Sequence, residues 1–188
     1  MIFVRDKGRM CNNILQYGHL YAWARANNRK TVSMRFAYKY QYFHICRTRW
    51  HNFFVYLLAK YAAKLKLIPT VTFDTPDEDL TEKENAMRRG CLVAEGWFAR
   101  WYDLFLQYKP EILSLFAFDS HIESKVTSLL EVSSKEGIIR LGVHIRRGDY
   151  ATWNDGRFLY DDKQMINIIR QFILLHPNKR VVIYICGN

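Results

Sequence analysis

The chain opens with a short apolar run, Ile2-Phe3-Val4, that stops at the turn signal Asp6-Lys7-Gly8. Apolar or small residues then recur at helical spacing at Ile14, Leu15, Gly18, Tyr21, Ala22 and Ala26, up to Asn27-Asn28. Thr31 to Phe36 has the pattern of a strand. Strand, Gly-containing loop, helix and strand together predict an α/β fold with a parallel sheet. Phe36, Tyr38, Tyr40 and Tyr42 alternate in an aromatic and basic stretch. A second helical period follows from Phe53 to Ile68, with Lys60 and Lys64 on the side away from its apolar positions. Val71-Thr72-Phe73 and Cys91 to Ala94 are short strand candidates, separated by the charged segment Asp74 to Arg89, read as a surface loop with some helix. Pro110 suits the first turn of a helix to about Leu115, and Asp119 or Ser120 can cap another that ends near Val132.

Ser133-Ser134-Lys135-Glu136-Gly137 is short, polar and Gly-terminated, which makes it the linker candidate. Beyond it come an apolar strand (Ile138 to Ile145), a loop, a helix (about Asp162 to Leu175) and a strand (Val181 to Cys186), a single βαβ unit. The expectation is therefore two domains, residues 1–136 and 137–188. A lone βαβ unit leaves most of its sheet edge and one face uncovered, so either the second domain is incomplete or its strands pack onto the preceding sheet.

With 49% hydrophobic and 24% charged residues, the composition is that of a folded globular protein and excludes a disordered one. The net charge of +10 changes the picture more, because it favours anionic partners: nucleic acid, an anionic membrane surface or a phosphate-bearing small molecule. Cys11, Cys46, Cys91 and Cys186 are far apart, with no C-x-x-C pair, and are expected to be reduced, buried thiols rather than a zinc site. The opening apolar run is too short for a signal peptide, and no window is long and apolar enough to span a bilayer. These points lead to an expected cytoplasmic location, with peripheral contact at the inner face of a membrane left open. The segment from Phe53 to Ile68 has two readings: a helix with one face on the core, or a basic amphipathic helix docked on anionic lipid. Buried Phe54, Leu57 and Leu58 would mark the first, exposed ones the second.

The chemistry concentrates in Leu141-Gly142-Val143-His144-Ile145-Arg146-Arg147-Gly148-Asp149-Tyr150, where an apolar strand ends in two arginines and a Gly-containing loop. Open α/β sheets bind ligands at the carboxyl ends of their strands. A guanidinium fork matches phosphate oxygens and stays charged at any working pH, and Asp149 can orient it. The series His144-x-Arg146-Arg147-x-Asp149-Tyr150 resembles the first motif of the α-1,2- and α-1,6-fucosyltransferases. The N-terminal block of bacterial α-1,2-fucosyltransferases, Gly-Gly-Leu-Gly-Asn-Gln-Met-Phe-Gln-Tyr, is similar to the stretch beginning at Gly8, with matches at Gly8, Asn12, Gln16 and Tyr17. Two of that block's glycines are replaced by Arg9 and Cys11. Gly96-Trp97-Phe98-Ala99-Arg100 stands where the family has Gly-Tyr-Phe-Gln-Ser.

This resemblance implies a GT-B-like architecture, with an N-terminal Rossmann-like domain on the acceptor side and the first βαβ unit of a GDP-sugar-binding Rossmann-like domain. It implies an inverting transfer of fucose from GDP-fucose to a hydroxyl of a glycan acceptor, itself lipid-linked in one version of the reading, with no metal and no further cofactor. His144, Arg146, Arg147, Asp149 and Tyr150 are the donor-site candidates, Arg146 foremost, with Gly8 and Asn12 in a loop near the cleft. Asp155 is the candidate base for the acceptor hydroxyl, its plainer role being a turn residue before Gly156. The family continues beyond the last strand seen here, so the 188 residues alone are expected to be inactive and to bind GDP-fucose weakly or not at all. The competing class is a basic, aromatic-rich nucleic-acid-binding protein, drawn from Arg35 to Lys66. No recognised nucleic-acid-binding signature accompanies that stretch, and the expectation is no nucleic-acid partner.

Overall fold

The computed structural model describes residues 1–76, 78–131 and 137–187, and the chain divides into two units, Met1–Ile122 and Glu123–Asn188. Most of the linker candidate, Ser133 to Glu136, lies outside the described residues, as does the expected boundary between residues 136 and 137.

The first unit is an α/β structure around a four-stranded parallel sheet, compatible with a Rossmann-like fold. Its strands are β1 (Ile2–Arg5), β2 (Thr31–Ser33), β3 (Thr70–Thr72) and β4 (Leu92–Glu95), in the order β2-β1-β4-β3. Alternation along the strands sends side chains to two faces. Ile2, Val4, Leu92 and Ala94 belong to the main core, which they share with Tyr17, Leu20 and Trp23 of helix α1 (Met10–Ala26) and with Phe36, Phe43 and Ile45. Phe3 and Val93 face the other way, against Tyr56, Ala59 and Ala63 of helix α2 (Phe53–Lys64). Each face is thus covered by helix, as a parallel sheet requires. Helices α3 (Thr81–Arg89), α4 (Tyr102–Gln107) and α5 (Lys109–Leu115) complete the unit, and α6 (Ser120–Glu131) starts at its end.

Two details depart from the sequence reading. The strand expected to reach Phe36 stops at Ser33, whose side chain turns to bond Asp6 and the Phe36 backbone; past it, Phe36 and Phe43 are buried in the core while Tyr40 packs on their flank. The thiols are not buried as expected. Cys11, Cys91 and Cys186 are exposed, and only Cys46 is half-buried, its thiol donating to the Phe36 and Tyr40 carbonyls.

The second unit contains β5 (Ile138–Ile145) and β6 (Arg180–Gly187), paired in parallel from Ile138↔Arg180 to Ile145↔Gly187, and the connecting helix α7 (Asp162–Leu174). Asp161 caps α7 reciprocally: its carboxylate accepts from the Gln164 backbone at 2.7 Å while the Gln164 amide accepts from the Asp161 N–H at 2.9 Å. That pair satisfies two backbone donors and fixes where the loop after β5 ends. Among the described residues, no helix is long and apolar enough to cross a membrane.

Candidate ligand-binding clefts

In the second unit the arginine pair follows the carboxyl end of β5 directly, and two tight turns, Gly148–Ala151 and Trp153–Gly156, carry the chain on. The turns fold the motif back on itself. The Arg146 guanidinium lies over the Tyr150 ring, 4.3 Å from its centroid, and donates to the Asp149 carboxylate at 3.1 Å. Its Nε is buried with no hydrogen-bond partner among the described residues. The side chain as a whole is 35% exposed, so it is the accessible part of the guanidinium, not Nε, that an anionic oxygen in the cleft can meet.

This guanidinium borders a cleft of about 430 Å³ that His144, Tyr150, Trp153, Phe158 and Tyr160 also line. The aromatic wall is continuous, with Tyr150 stacked on Trp153 at 5.2 Å and Trp153 beside Phe158 at 5.4 Å. His144, Arg146 and Tyr150 are thus brought together at one cleft, with Asp149 holding the arginine from behind. Arg147 is turned elsewhere and pairs with Asp162 at the start of α7. Asp155 is exposed and does not line the cleft. Asn154 and Asp155 take left-handed φ values of 50° and 55°, a conformation that Asn and Asp tolerate better than most residues.

Gly8 and Asn12 both lie in the first unit, but only Gly8 is in the loop between β1 and α1; Asn12, expected in that loop, stands in the first turn of α1, which starts already at Met10. Gly8 has φ +89°, and a Cβ there would stand 2.9 Å from the Asn12 amide. Gln16 clamps the same loop, accepting from the Lys7 N–H at 3.2 Å and donating to the Lys7 carbonyl at 2.7 Å. Arg100, in the mid-chain block, stacks over Trp97 at 4.4 Å.

The first unit also holds a cleft of its own, of about 500 Å³, beside the carboxyl ends of β1 and β2 and under α2. Arg5, Asp6, Arg35, Tyr38, Lys60 and Lys64 are among its walls. Asp6 is fully enclosed, and burial raises its carboxyl to about 7 against the opposing bond from Ser33. One of its oxygens accepts from the Ser33 hydroxyl at 2.5 Å, and the other has no partner among the described residues. His51 accepts from the Ser33 backbone N–H at 3.0 Å and is held neutral, its pKa lowered to about 4 by burial. Because His51 meets the backbone and not the hydroxyl, Ser33, His51 and Asp6 do not form a nucleophile–base relay. The sequence reading passed over Asp6 and Arg35. The rule that ligands gather at strand carboxyl ends, applied to the first two strands as it was to the fifth, points to both.

Compared with family models, with curated proteins and with solved structures, the chain matches none. The functional reading therefore rests on the motif residues and on the geometry of the clefts.

Proposed function

We propose that the protein is an inverting glycosyltransferase of GT-B-like architecture that moves fucose from GDP-fucose to a hydroxyl of a glycan acceptor, in the manner of the α-1,2-fucosyltransferases its motifs resemble. The observation that carries this reading is Arg146, whose guanidinium, braced by the Tyr150 ring and the Asp149 carboxylate, borders an aromatic-walled cleft at a strand's carboxyl end. A nucleoside diphosphate has the two matching parts, an anionic chain for the guanidinium and a planar base for Trp153 or Tyr150. In the transfer, the acceptor oxygen bonds to the fucose anomeric carbon as the bond to the β-phosphate oxygen breaks. GDP leaves with the electron pair and the hydroxyl proton passes to a base. Arg146 stabilises the charge that grows on the departing diphosphate. Arg147 would add a second contact on releasing Asp162, and Asp155 would serve as the base only after a movement of its turn.

Calorimetric titration with GDP, GMP and GDP-fucose, paired with a transfer assay on simple galactosides, tests the reading. In a form of the protein that transfers fucose, Arg146→Ala should weaken GDP by roughly 10- to 100-fold, the equivalent of one charge-assisted contact, and abolish transfer. Arg146→Lys should rescue poorly, since a point charge does not reproduce the fork. Equal GDP affinity in wild type and Arg146→Ala refutes the assignment.

A further inference from the structure

Helix α2 presents to solvent the residues that its periodicity marks as apolar. Phe54, Leu58, Tyr61 and Leu65 are 76%, 71%, 51% and 67% exposed, while Leu57 is half-buried at the margin. Spaced by four, three and four residues, they form one stripe along the helix. The opposite side of α2 is already occupied, since Tyr56, Ala59 and Ala63 pack against Phe3 and Val93 of the sheet. The stripe is therefore a second apolar face on a helix whose core-facing side is complete.

Its surroundings are cationic. At 100° per residue, Lys64 and Lys60 lie together on one side of the stripe, about 90° and about 130° from its centre, and both are exposed with no carboxylate in salt-bridge range among the described residues. From Lys7 to Phe73 the sequence has twelve Lys and Arg and not one Asp or Glu. A second copy meeting this face stripe to stripe would set lysines against lysines, with no acid in the segment to relieve them. An anionic bilayer offers both complements, apolar chain ends for the stripe and phosphates for the lysines at its side.

We propose that α2 docks in the plane of an anionic lipid surface, with Phe54, Leu58, Tyr61 and Leu65 inserted below the headgroups and Lys60 and Lys64 on the phosphates. The surface belongs to the first unit and does not depend on the donor reading. Such docking places the unit where lipid-linked substrates reside.

The test is co-sedimentation of the full chain with vesicles of phosphatidylcholine alone and of phosphatidylcholine containing one-third phosphatidylglycerol. Binding should be at least about tenfold tighter to the anionic vesicles and should weaken as salt is raised. Lys60→Ala with Lys64→Ala should cut it by roughly 30-fold, and Leu58→Ser with Leu65→Ser by at least about tenfold. These sites are exposed, and unchanged melting curves confirm that the variants fold. As a gain of signal, Phe54→Trp should show blue-shifted fluorescence with anionic vesicles and be quenched by brominated lipid chains. Three outcomes overturn the proposal: no binding to either vesicle, equal binding to both, or a concentration-dependent dimer abolished by Leu58→Ser, which would make a second copy the occupant.

Discussion

The Ser33 hydroxyl donates to the buried Asp6 carboxylate at 2.5 Å, which ties the carboxyl end of β2 to that of β1 across neighbouring strands of the sheet. The bond satisfies one oxygen and leaves the other enclosed, so ionising Asp6 is unfavourable in the folded chain.

Stability should accordingly peak near pH 6.5. Asp6 is raised from 3.8 to about 7, so its folded form holds a proton that the unfolded form has lost, and stability falls as pH rises through that window. His19 and His51 are lowered from 6.5 to about 4 by burial, so the unfolded chain binds their protons first and stability grows as pH rises to 6.5. Two opposing one leaves a net gain on the order of 1 kcal/mol per pH unit between about pH 4 and the peak, and above it the fall from Asp6 is opposed by the Met1 ammonium, whose pKa burial lowers from 8.0. Denaturant midpoints across this range check the curve. Asp6→Asn should remove the fall that Asp6 causes and roughly double the slope of the acidic arm, because the two histidines then act unopposed.

Gly96→Ala should destabilise the first unit by about 3 kcal/mol or more. The residue has φ +120°, and a Cβ there would meet the Phe73 carbonyl oxygen at 2.3 Å. Both objections come from backbone, which cannot move aside as a side chain does. Urea denaturation of the variant measures the loss, and a change below about 1 kcal/mol would show that the Gly96 loop is not held as described.

Tyr150→Ala should weaken GDP binding by several-fold to about 30-fold, by removing the ring that supports the Arg146 guanidinium, whereas Tyr150→Phe should bind like wild type. The same titration that reads Arg146 variants distinguishes the two. Loss of affinity in Tyr150→Phe would assign the role to the hydroxyl instead of the ring face.

The elements legible in the sequence were those with an unambiguous period. Ile2 to Val4, the helix before Asn27, Ile138 to Ile145 and the helix from Asp162 formed where the pattern put them, and the helix expected from Phe53 to Ile68 formed but ended at Lys64. Helix α4 was missed because Tyr102–Gln107 spans six residues, too few to display a period, and starts without a side-chain cap. The facing of α2 was not decidable from spacing. Small alanines at positions 59 and 63 let the helix approach the sheet on the side that has fewer large apolar residues. At the donor-site candidates, the residue types were readable but their pairings were not. Nothing in the order Arg146-Arg147 says that the first borders the cleft and the second turns to Asp162, because that choice is made by the tight turn at Gly148 and by the capping of α7.

The strand order of the first unit also governs its birth. β1 is synthesised first yet lies between β2 and β4, so one of its edges waits for Leu92. At ordinary elongation rates that wait is roughly 5 to 20 s. Until then a nascent chain can pair β1 with β2 alone, and the open edge of the most central strand is guarded only by the translation machinery and whatever chaperone attends it.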